Sequence, residues 1–143
     1  MNILMNKNIL LGITGSIAAY KAAEITSKLK KEGCDVKVVM TKSSASFITE
    51  TTLESLSGNK VLTEDSDSAH NTNFTHLDLA KWADMILIAP CTANFMNKLA
   101  NGHGDDLLST ICLASTKDIF IAPAMNPDMW NNKITQNNFK KLK

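Results

Sequence analysis

Four short apolar runs are spaced along the chain: Asn8–Ile13, Asp35–Met40, Met85–Ala89 and Asp118–Ala122. Each run has a length and composition suited to one buried strand. The longer segments between them carry apolar residues at the spacing of a helix. Apolar strands that alternate with helices predict a parallel sheet covered on both faces. The sequence therefore predicts an α/β fold with a doubly wound parallel sheet in three α/β/α layers.

The helices follow from the same pattern. After the first strand, Ser16 precedes a predicted helix that ends at Gly33 and has these apolar positions: Ala18, Ala22, Ile25 and Leu29. Further helices are predicted over Ser43–Ser57, through His76 and Trp82, over Thr92–Asn101 and over Asp105–Ser115. The apolar face of the second helix consists of Phe47, Ile48, Leu53 and Leu56. The polar segment Thr63–Asn73 predicts an exposed loop.

Ligands of doubly wound sheets bind beyond the carboxyl ends of the strands, where the topology changes direction. The loops that follow the strands are therefore the candidates for a site. They are Gly12–Ile17, Thr41–Ser46, Pro90–Phe95 and Pro123–Trp130.

The loop Gly12–Ile17 joins a strand to a helix, whose unpaired N–H groups favour a phosphate. Its sequence GITGSI matches neither the P-loop pattern nor the full dinucleotide pattern. A mononucleotide phosphate and a serine-capped structural turn remain as alternatives. The next loop adds hydroxyls at the same edge, which can bind phosphate or cap a helix: Thr41, Ser43, Ser44 and Ser46.

The loop Pro90–Phe95 has small and amide-bearing side chains, so a flat polar ring can lie close to its backbone. Thr92 and Asn94 can hydrogen-bond such a ring, although a plain helix start explains them equally well.

The loop Pro123–Trp130 places two prolines and a tryptophan around Asn126. Asn126 can hydrogen-bond a substrate carboxylate or carbonyl, and the methionines and Trp130 can supply apolar walls. The alternative is a proline-bounded turn packed on the core.

Composition narrows the function further. The chain has 143 residues and 44% apolar content, enough for one domain with its own core. Its fifteen basic and fourteen acidic residues are spread along the chain and leave a net charge of +1, which argues against nucleic-acid binding. Every basic residue is lysine, so anions must be bound without a guanidinium group. No apolar run is long enough for a bilayer, and we expect a cytoplasmic protein without membrane contact.

The cysteines and histidines offer few candidates. Cys34, Cys91 and Cys112 occur singly and are interpreted as free structural thiols. His76 lies beside apolar residues and carries an imidazole suited to proton transfer, so it is the candidate catalytic histidine, with a structural role as the alternative. No group of residues has the spacing of metal ligands, and no metal site is predicted.

Five stretches, in order along the chain, carry a family resemblance: GITGSIAAYK (12–21), VMTKSSASFIT (39–49), THLDLAKWAD (75–84), APCTANFMNKLANGHGDDLLSTICLA (89–114) and APAMNPDMW (122–130). They resemble the flavin-containing cysteine decarboxylases, and within these the phosphopantothenoylcysteine decarboxylases. The resemblance implies a flavodoxin-like fold that binds FMN, with subunits assembled as trimers or multiples of trimers.

It also implies a reaction of coenzyme A synthesis. The cysteinyl carboxylate of 4′-phospho-N-pantothenoylcysteine is lost after the flavin oxidises the thiol end, which creates an electron sink beside the carboxylate. Reduction of the resulting enethiol by the same flavin then gives 4′-phosphopantetheine.

The matching positions imply roles for individual residues. His76 takes the catalytic histidine role, and Asn126 takes the carboxylate-binding role of the PAMN motif, with Met129 as a further substrate contact. The implied flavin contacts are Gly15, Ser16, Ile17 and Ser43 at the phosphate, Thr92, Ala93, Asn94 and Phe95 at the ring and ribityl chain, and Phe47.

One departure from the family concerns a later cysteine, carried on a flap beyond the PAMN motif, that donates a proton when the enethiol is reduced. Here no cysteine follows Cys112. We therefore expect residues 1–143 to be a single decarboxylase domain cut short before the flap, or an enzyme with an impaired reductive step.

Several rivals remain. A decarboxylase of the C-terminal cysteine of a lantibiotic precursor peptide shares the flavin, the histidine and the asparagine. Flavin prenyltransferases share the fold but should lack the PAMN motif. A flavodoxin-like electron carrier would need neither His76 nor Asn126, and a non-catalytic flavin-binding regulatory relative would lack turnover.

Overall fold

The computed structural model describes residues 3–65 and 76–143, and its strands form one parallel sheet. The strands are β1 (Asn8–Ile13), β2 (Asp35–Met40), β3 (Met85–Cys91) and β4 (Ile119–Pro123). Their order is β2-β1-β3-β4, and every neighbouring pair is parallel. This is the order of a flavodoxin-like sheet, in which the direction of winding reverses between β1 and β3. The predicted doubly wound fold is confirmed.

Helices connect the strands. The α-helices are α1 (Lys21–Lys31), α2 (Glu50–Ser57), α3 (His76–Trp82), α4 (Ala93–Asn101), α5 (Leu107–Ala114), α6 (Pro127–Asn131) and α7 (Lys133–Leu142). Two short 3₁₀ helices, Ile17–Tyr20 and Lys42–Ser46, follow β1 and β2. Among the described helices, none combines the length and apolarity needed to cross a bilayer.

The predicted helix Ser43–Ser57 is wrong as one element. A 3₁₀ helix ends at Ser46, the backbone then becomes extended at Thr49, and α2 begins at Glu50. The Thr49 hydroxyl accepts a hydrogen bond from Thr52 N–H at 3.3 Å. A threonine that caps a helix in this way starts a new helix where apolar periodicity alone indicates a continuous one.

The first predicted helix also begins differently. Ser16 caps the 3₁₀ helix and accepts a hydrogen bond from Ala18 N–H, and the α-helical part starts only at Lys21. The fully buried positions of this segment are Ala19, Ala22 and Thr26. Small buried side chains let the helix lie close to the sheet.

The core has one cluster on each face of the sheet because successive strand residues point in opposite directions. Ile9, Leu11 and Ile13 of β1 pack with α1 and α2, whereas Leu10 packs with the helices of the other face. Gly12 lies on the same face of β1 as Leu10. A Cβ atom on Gly12 would lie 2.7 Å from the side chain of Leu108 in α5. The continuous apolar strands of the sequence are therefore explained by burial on both faces.

The polar segment Thr63–Asn73, predicted as a loop, lies mostly outside the described residues. Its described part includes Glu64 and Asp65, whose backbone is helical.

Candidate active site

The four loops that follow the strands lie at one edge of the sheet because all the strands run in the same direction. The first two loops are in direct contact. Thr41 N–H donates to Ile13 O at 3.0 Å. Ser43 approaches Gly15 so closely that a Cβ on Gly15 would lie 2.4 Å from the Ser43 hydroxyl oxygen.

Thr14 joins the first loop to the third. Its side chain is buried, donates a hydrogen bond from Oγ1 to Pro90 O at 2.6 Å, and accepts one from Thr92 N–H at 3.1 Å. Thr14 was not among the site residues predicted from the sequence. The signal that could have identified it is its hydroxyl group. Thr14 directly follows a predicted central strand, at a position where an apolar residue would continue the apolar run.

A backbone bond joins the third loop to the fourth, since Ala124 N–H donates to Cys91 O at 3.0 Å. The loops therefore form one connected rim in the spatial order second, first, third and fourth, which is the order of the strands beneath them.

The first two loops have the donors that a phosphate requires. The N–H groups of Gly15 and Ile17 bond no other residue of the described chain. The Ser16 oxygen accepts from Ala18 N–H, which leaves its own proton available, and the exposed Ser43 hydroxyl lies 3.3 Å from Thr41 Oγ1. Backbone and hydroxyl donors thus substitute for the missing arginine at this end of the site.

The hydroxyls of the second loop divide into two kinds. Ser44 is buried, and its hydroxyl donates to Thr41 O at 2.7 Å, so it stabilises the turn. Ser43 is exposed and able to contact a ligand. Phe47, at the end of this 3₁₀ helix, is 43% exposed. Exposure of a phenyl ring beside a polar rim is consistent with contact to a flat ligand.

The third loop offers a ligand mainly backbone groups, because several of its side chains have other contacts. Thr92 caps α4 by accepting a hydrogen bond from Phe95 N–H at 3.1 Å. Phe95 itself is 2% exposed and packs in the core, so its side chain is not at the surface of the rim. Asn94 is exposed and Ala93 is half-buried. A ring bound here would meet Ala93, Asn94 and main chain.

The fourth loop is organised by Asn126. The side-chain oxygen of Asn126 accepts a hydrogen bond from Met129 N–H at 2.8 Å and caps α6, which begins at Pro127. The Nδ2 group of Asn126 donates to no other described residue, and the residue is exposed. An exposed amide N–H₂ with its oxygen already occupied acts only as a donor and therefore suits an anion or a carbonyl oxygen.

The apolar residues of this loop have different environments. Met129 is 47% exposed and can contact a ligand. Trp130 instead packs edge-on against Phe139 of α7, with ring centroids 5.1 Å apart. The predicted apolar wall is thus available from Met129, whereas Trp130 is held against the core.

His76 is the first residue of α3 and is half-buried. The other end of α3 lies at the amino edge of the sheet, because Asn8 Nδ2 at the start of β1 donates to Trp82 O at 3.1 Å. A helix rises 1.5 Å per residue, so His76 lies about 9 Å from Trp82 along the axis. The described contacts of His76 do not extend to the four loops.

The three cysteines are free and buried. Burial raises the pKa of the Cys91 thiol to about 12, and burial with the nearby Cys91 and Asp106 raises that of Cys112 to about 12 as well. Burial also raises the pKa of Cys34. The interpretation of the cysteines as structural thiols is consistent with this. Within residues 3–65 and 76–143 no group of three or more His, Cys, Asp or Glu side chains is placed to hold a metal ion.

A cavity of about 540 Å³ lies elsewhere, between β4 and α4, α5 and α7. None of its lining residues belongs to the four loops. The candidate site is therefore the open rim rather than this cavity, since the rim carries the unpaired donors.

Known proteins resemble this chain over nearly its whole length. The chain is 46% identical over 142 residues to the coenzyme A biosynthesis bifunctional protein CoaBC of Vibrio vulnificus, and 49% identical over 138 residues to that of Borreliella burgdorferi. The alignments cover 99% and 96% of this chain. The chain spans 35% of the length of each relative.

Solved structures show the same fold. The FMN-dependent cysteine decarboxylase SpaF superposes with a TM-score of 0.90 and 30% identity, covering 97% of this chain and 80% of SpaF. A PPC decarboxylase variant in complex with pantothenoylaminoethenethiol superposes with a TM-score of 0.81 and 34% identity, covering 96% of this chain and 77% of that protein. The model of the Flavoprotein family matches residues 2–143, and the chain therefore belongs to the Flavoprotein family.

Proposed function

We propose that this chain binds FMN and catalyses the decarboxylation of 4′-phospho-N-pantothenoylcysteine in coenzyme A synthesis. The observation that carries the proposal is the connected rim of loops, with phosphate donors around Gly15 at one end and the free amide of Asn126 at the other. The 46–49% identity to CoaBC proteins supports this substrate.

The residues present fit FMN. Its phosphate would be held by the N–H groups of Gly15 and Ile17 and by the hydroxyls of Ser16 and Ser43, and its ring would lie against Ala93 and Asn94. The close approach of Gly15 to Ser43 brings donors from two loops to one point, as a phosphate requires. When bound, FMN would accept two electrons from the thiol end of the substrate.

Asn126 would bind and orient the substrate carboxylate. Its oxygen is committed to the cap of α6, so the Nδ2 donor is presented in a fixed orientation, and Met129 would cover the apolar part of the substrate. A carboxylate held by a neutral donor keeps its charge but is not strongly stabilised by an ion pair, which favours its departure as carbon dioxide.

His76 would move a proton at the thiol end of the substrate. His76 is only half-buried at the first turn of α3, so its ring is accessible to a ligand. A histidine is suited to proton transfer near neutral pH.

A second candidate is the oxidative decarboxylation of a peptide that ends in cysteine. The fold match to the cysteine decarboxylase SpaF favours it, since the same rim would serve the same cysteinyl carboxylate. The identity is 30% with SpaF but 46–49% with the CoaBC proteins, and we rank the phosphorylated substrate first for this reason.

The test is an anaerobic incubation of the protein and FMN with 4′-phospho-N-pantothenoylcysteine, and in parallel with a cysteine-terminated peptide. Carbon dioxide, flavin absorbance and products are followed, the last by mass spectrometry. Phosphopantetheine or its enethiol precursor from the first substrate alone supports the proposal. Turnover of the peptide alone supports the second candidate, and unchanged substrates with bound flavin contradict both.

A matched pair of histidine variants adds a control. His76→Asn should abolish carbon dioxide release while FMN remains bound, and His103→Asn should behave as the wild type because His103 lies in the exposed turn after α4, outside the rim. Equal loss in both variants would contradict the role of His76.

The protein would act in the cytoplasm as a homotrimer or a multiple of trimers, with FMN near a subunit boundary. Light scattering coupled to size-exclusion chromatography, with and without FMN, measures the oligomer directly.

A further inference from the structure

The hydroxyl of Thr14 connects two parts of the rim that no strand pairing connects. Regular pairing of β1 with β3 extends only to Gly12 and Ile88. The pairing of β3 with β4 is irregular between Ile88 and Cys91. Beyond that point, Thr14 bonds both Pro90 O, at 2.6 Å, and Thr92 N–H, at 3.1 Å.

The chemistry of this position is restrictive. Thr14 is 2% exposed, so its hydroxyl donates one bond and accepts one bond away from competing water. Its backbone N–H adds a longer contact of 3.4 Å to Pro90 O. Among small side chains only serine and threonine both donate and accept strongly from one atom. Valine has the same shape as threonine but makes neither bond.

We propose that Thr14 is a positioning residue that fixes the distance between the phosphate-binding part of the rim, at Gly15, and the ring-binding part, at Thr92. The inference rests on the proposed binding of FMN. A ligand that contacts both parts binds more tightly when their distance is fixed, because the loops then lose little further conformational entropy when the second contact forms. A ligand that fills only one part gains nothing from it.

Riboflavin and FMN separate these two cases, since they share the ring and ribityl chain and differ by the phosphate. The quantity measured is the ratio of the riboflavin Kd to the FMN Kd, from flavin fluorescence titrations. For Thr14→Val we expect this ratio to fall by about tenfold, mainly because FMN binding weakens. For Thr14→Ser we expect it to stay within about twofold of the wild type because both bonds can form.

Thr26→Val is the matched control. Thr26 is also a buried threonine, and its hydroxyl donates to Ala22 O at 2.8 Å within α1, outside the rim. Its substitution should leave the Kd ratio unchanged, whatever it does to the melting temperature. A ratio that falls equally in both valine variants would indicate a general loss of structure and would overturn the proposal.

The remaining outcomes are distinct. A wild type that binds FMN no better than riboflavin overturns both the proposed function and this inference. A wild type that prefers FMN, with the same preference in Thr14→Val, leaves the proposed function intact and overturns the role of Thr14.

If Thr14→Val does not fold, Thr14→Ser and Thr14→Cys are compared, since the two side chains have nearly the same size but the thiol forms only weak hydrogen bonds. Equal ratios in this pair overturn the proposal.

Discussion

An ideal Cβ atom on Gly15 would lie 2.4 Å from Ser43 Oγ and 2.7 Å from Ser43 Cβ. Gly15 is not among the glycines with positive φ, which are Gly33, Gly58 and Gly102. The requirement for glycine at position 15 is therefore one of space between two loops and not of backbone conformation. The contact brings the donors of both loops to the proposed phosphate site.

Gly15→Ala should weaken FMN binding by about tenfold or more, because the first two loops must move apart to admit a methyl group. Fluorescence titration with FMN measures the change. Gly104→Ala is the control, since a Cβ there meets the flexible side chain of Leu113 at 3.2 Å and lies outside the rim.

A double variant tests the cause of that loss. Ser43→Gly removes the obstructing side chain together with one hydroxyl donor. The variant carrying both Gly15→Ala and Ser43→Gly should bind FMN no more weakly than Gly15→Ala alone, because the two shortest contacts, with the Ser43 side chain, are removed. Additive losses would show that the two residues act independently.

Asn126→Asp should lower kcat/KM by about 100-fold, because like charges placed together cost several kcal/mol and the new carboxylate faces that of the substrate. The aspartate oxygen can still accept from Met129 N–H, so α6 keeps its cap. Steady-state kinetics of carbon dioxide release measures the effect.

Asn132→Asp provides the comparison. Asn132 caps α7 in the same manner, by accepting from Ile134 N–H at 2.9 Å, and lies outside the four loops. We expect its kcat/KM to stay within about twofold of the wild type because the substrate carboxylate is not nearby. A normal rate in Asn126→Asp would contradict the carboxylate-binding role.

Asp106 and Lys98 form an ion pair of 2.7 Å with side chains 20% and 18% exposed. Burial alone would raise the pKa of Asp106, but the Lys98 ammonium and the Ser109 N–H outweigh it and lower the pKa from 3.8. Stabilisation from a lowered carboxyl pKa is present at neutral pH and is lost as the pH falls through the folded value. Asp106→Asn keeps the helix cap and removes the charge.

We therefore expect Asp106→Asn to reduce the free energy of unfolding by about 1 kcal/mol at pH 7, and the difference from wild type to shrink as the pH falls and the Asp106 carboxylate is protonated. Urea unfolding at a series of pH values measures both. Asp105→Asn should have a smaller effect, since Asp105 is 61% exposed at 3.1 Å from Lys98. A difference that persists at low pH would contradict the electrostatic origin.

The buried thiols should react slowly with thiol-specific disulfide reagents. With a pKa of about 12, Cys91 and Cys112 are almost entirely protonated at pH 8, and the thiolate is the reactive form. Ellman's reagent should therefore react slowly with the three cysteines of the native protein and rapidly after unfolding in guanidinium chloride. Rapid reaction of a native thiol would show that a cysteine is accessible at neutral pH.

Local patterns in the sequence determined the fold class of this protein and the position of its candidate site. Short apolar runs such as Asn8–Ile13 are typical of strands in a sheet covered on both faces, so the fold class and the ranges of β1 and β2 follow from the sequence. The loops at the strand ends also follow, because parallel strands end at one edge. The PAMN motif pointed to Asn126, which the structure displays as an exposed, oriented donor.

Tertiary structure alone decided which residues of those loops face a ligand. Phe95 and Asn94 are adjacent in sequence, yet one is buried in the core and the other is exposed, because the direction of each side chain depends on how α4 packs on the sheet. The bonds from Thr14 to Pro90 and Thr92 join residues 76 and 78 positions apart. Contacts between residues so distant along the chain arise from strand order, which apolar periodicity does not encode.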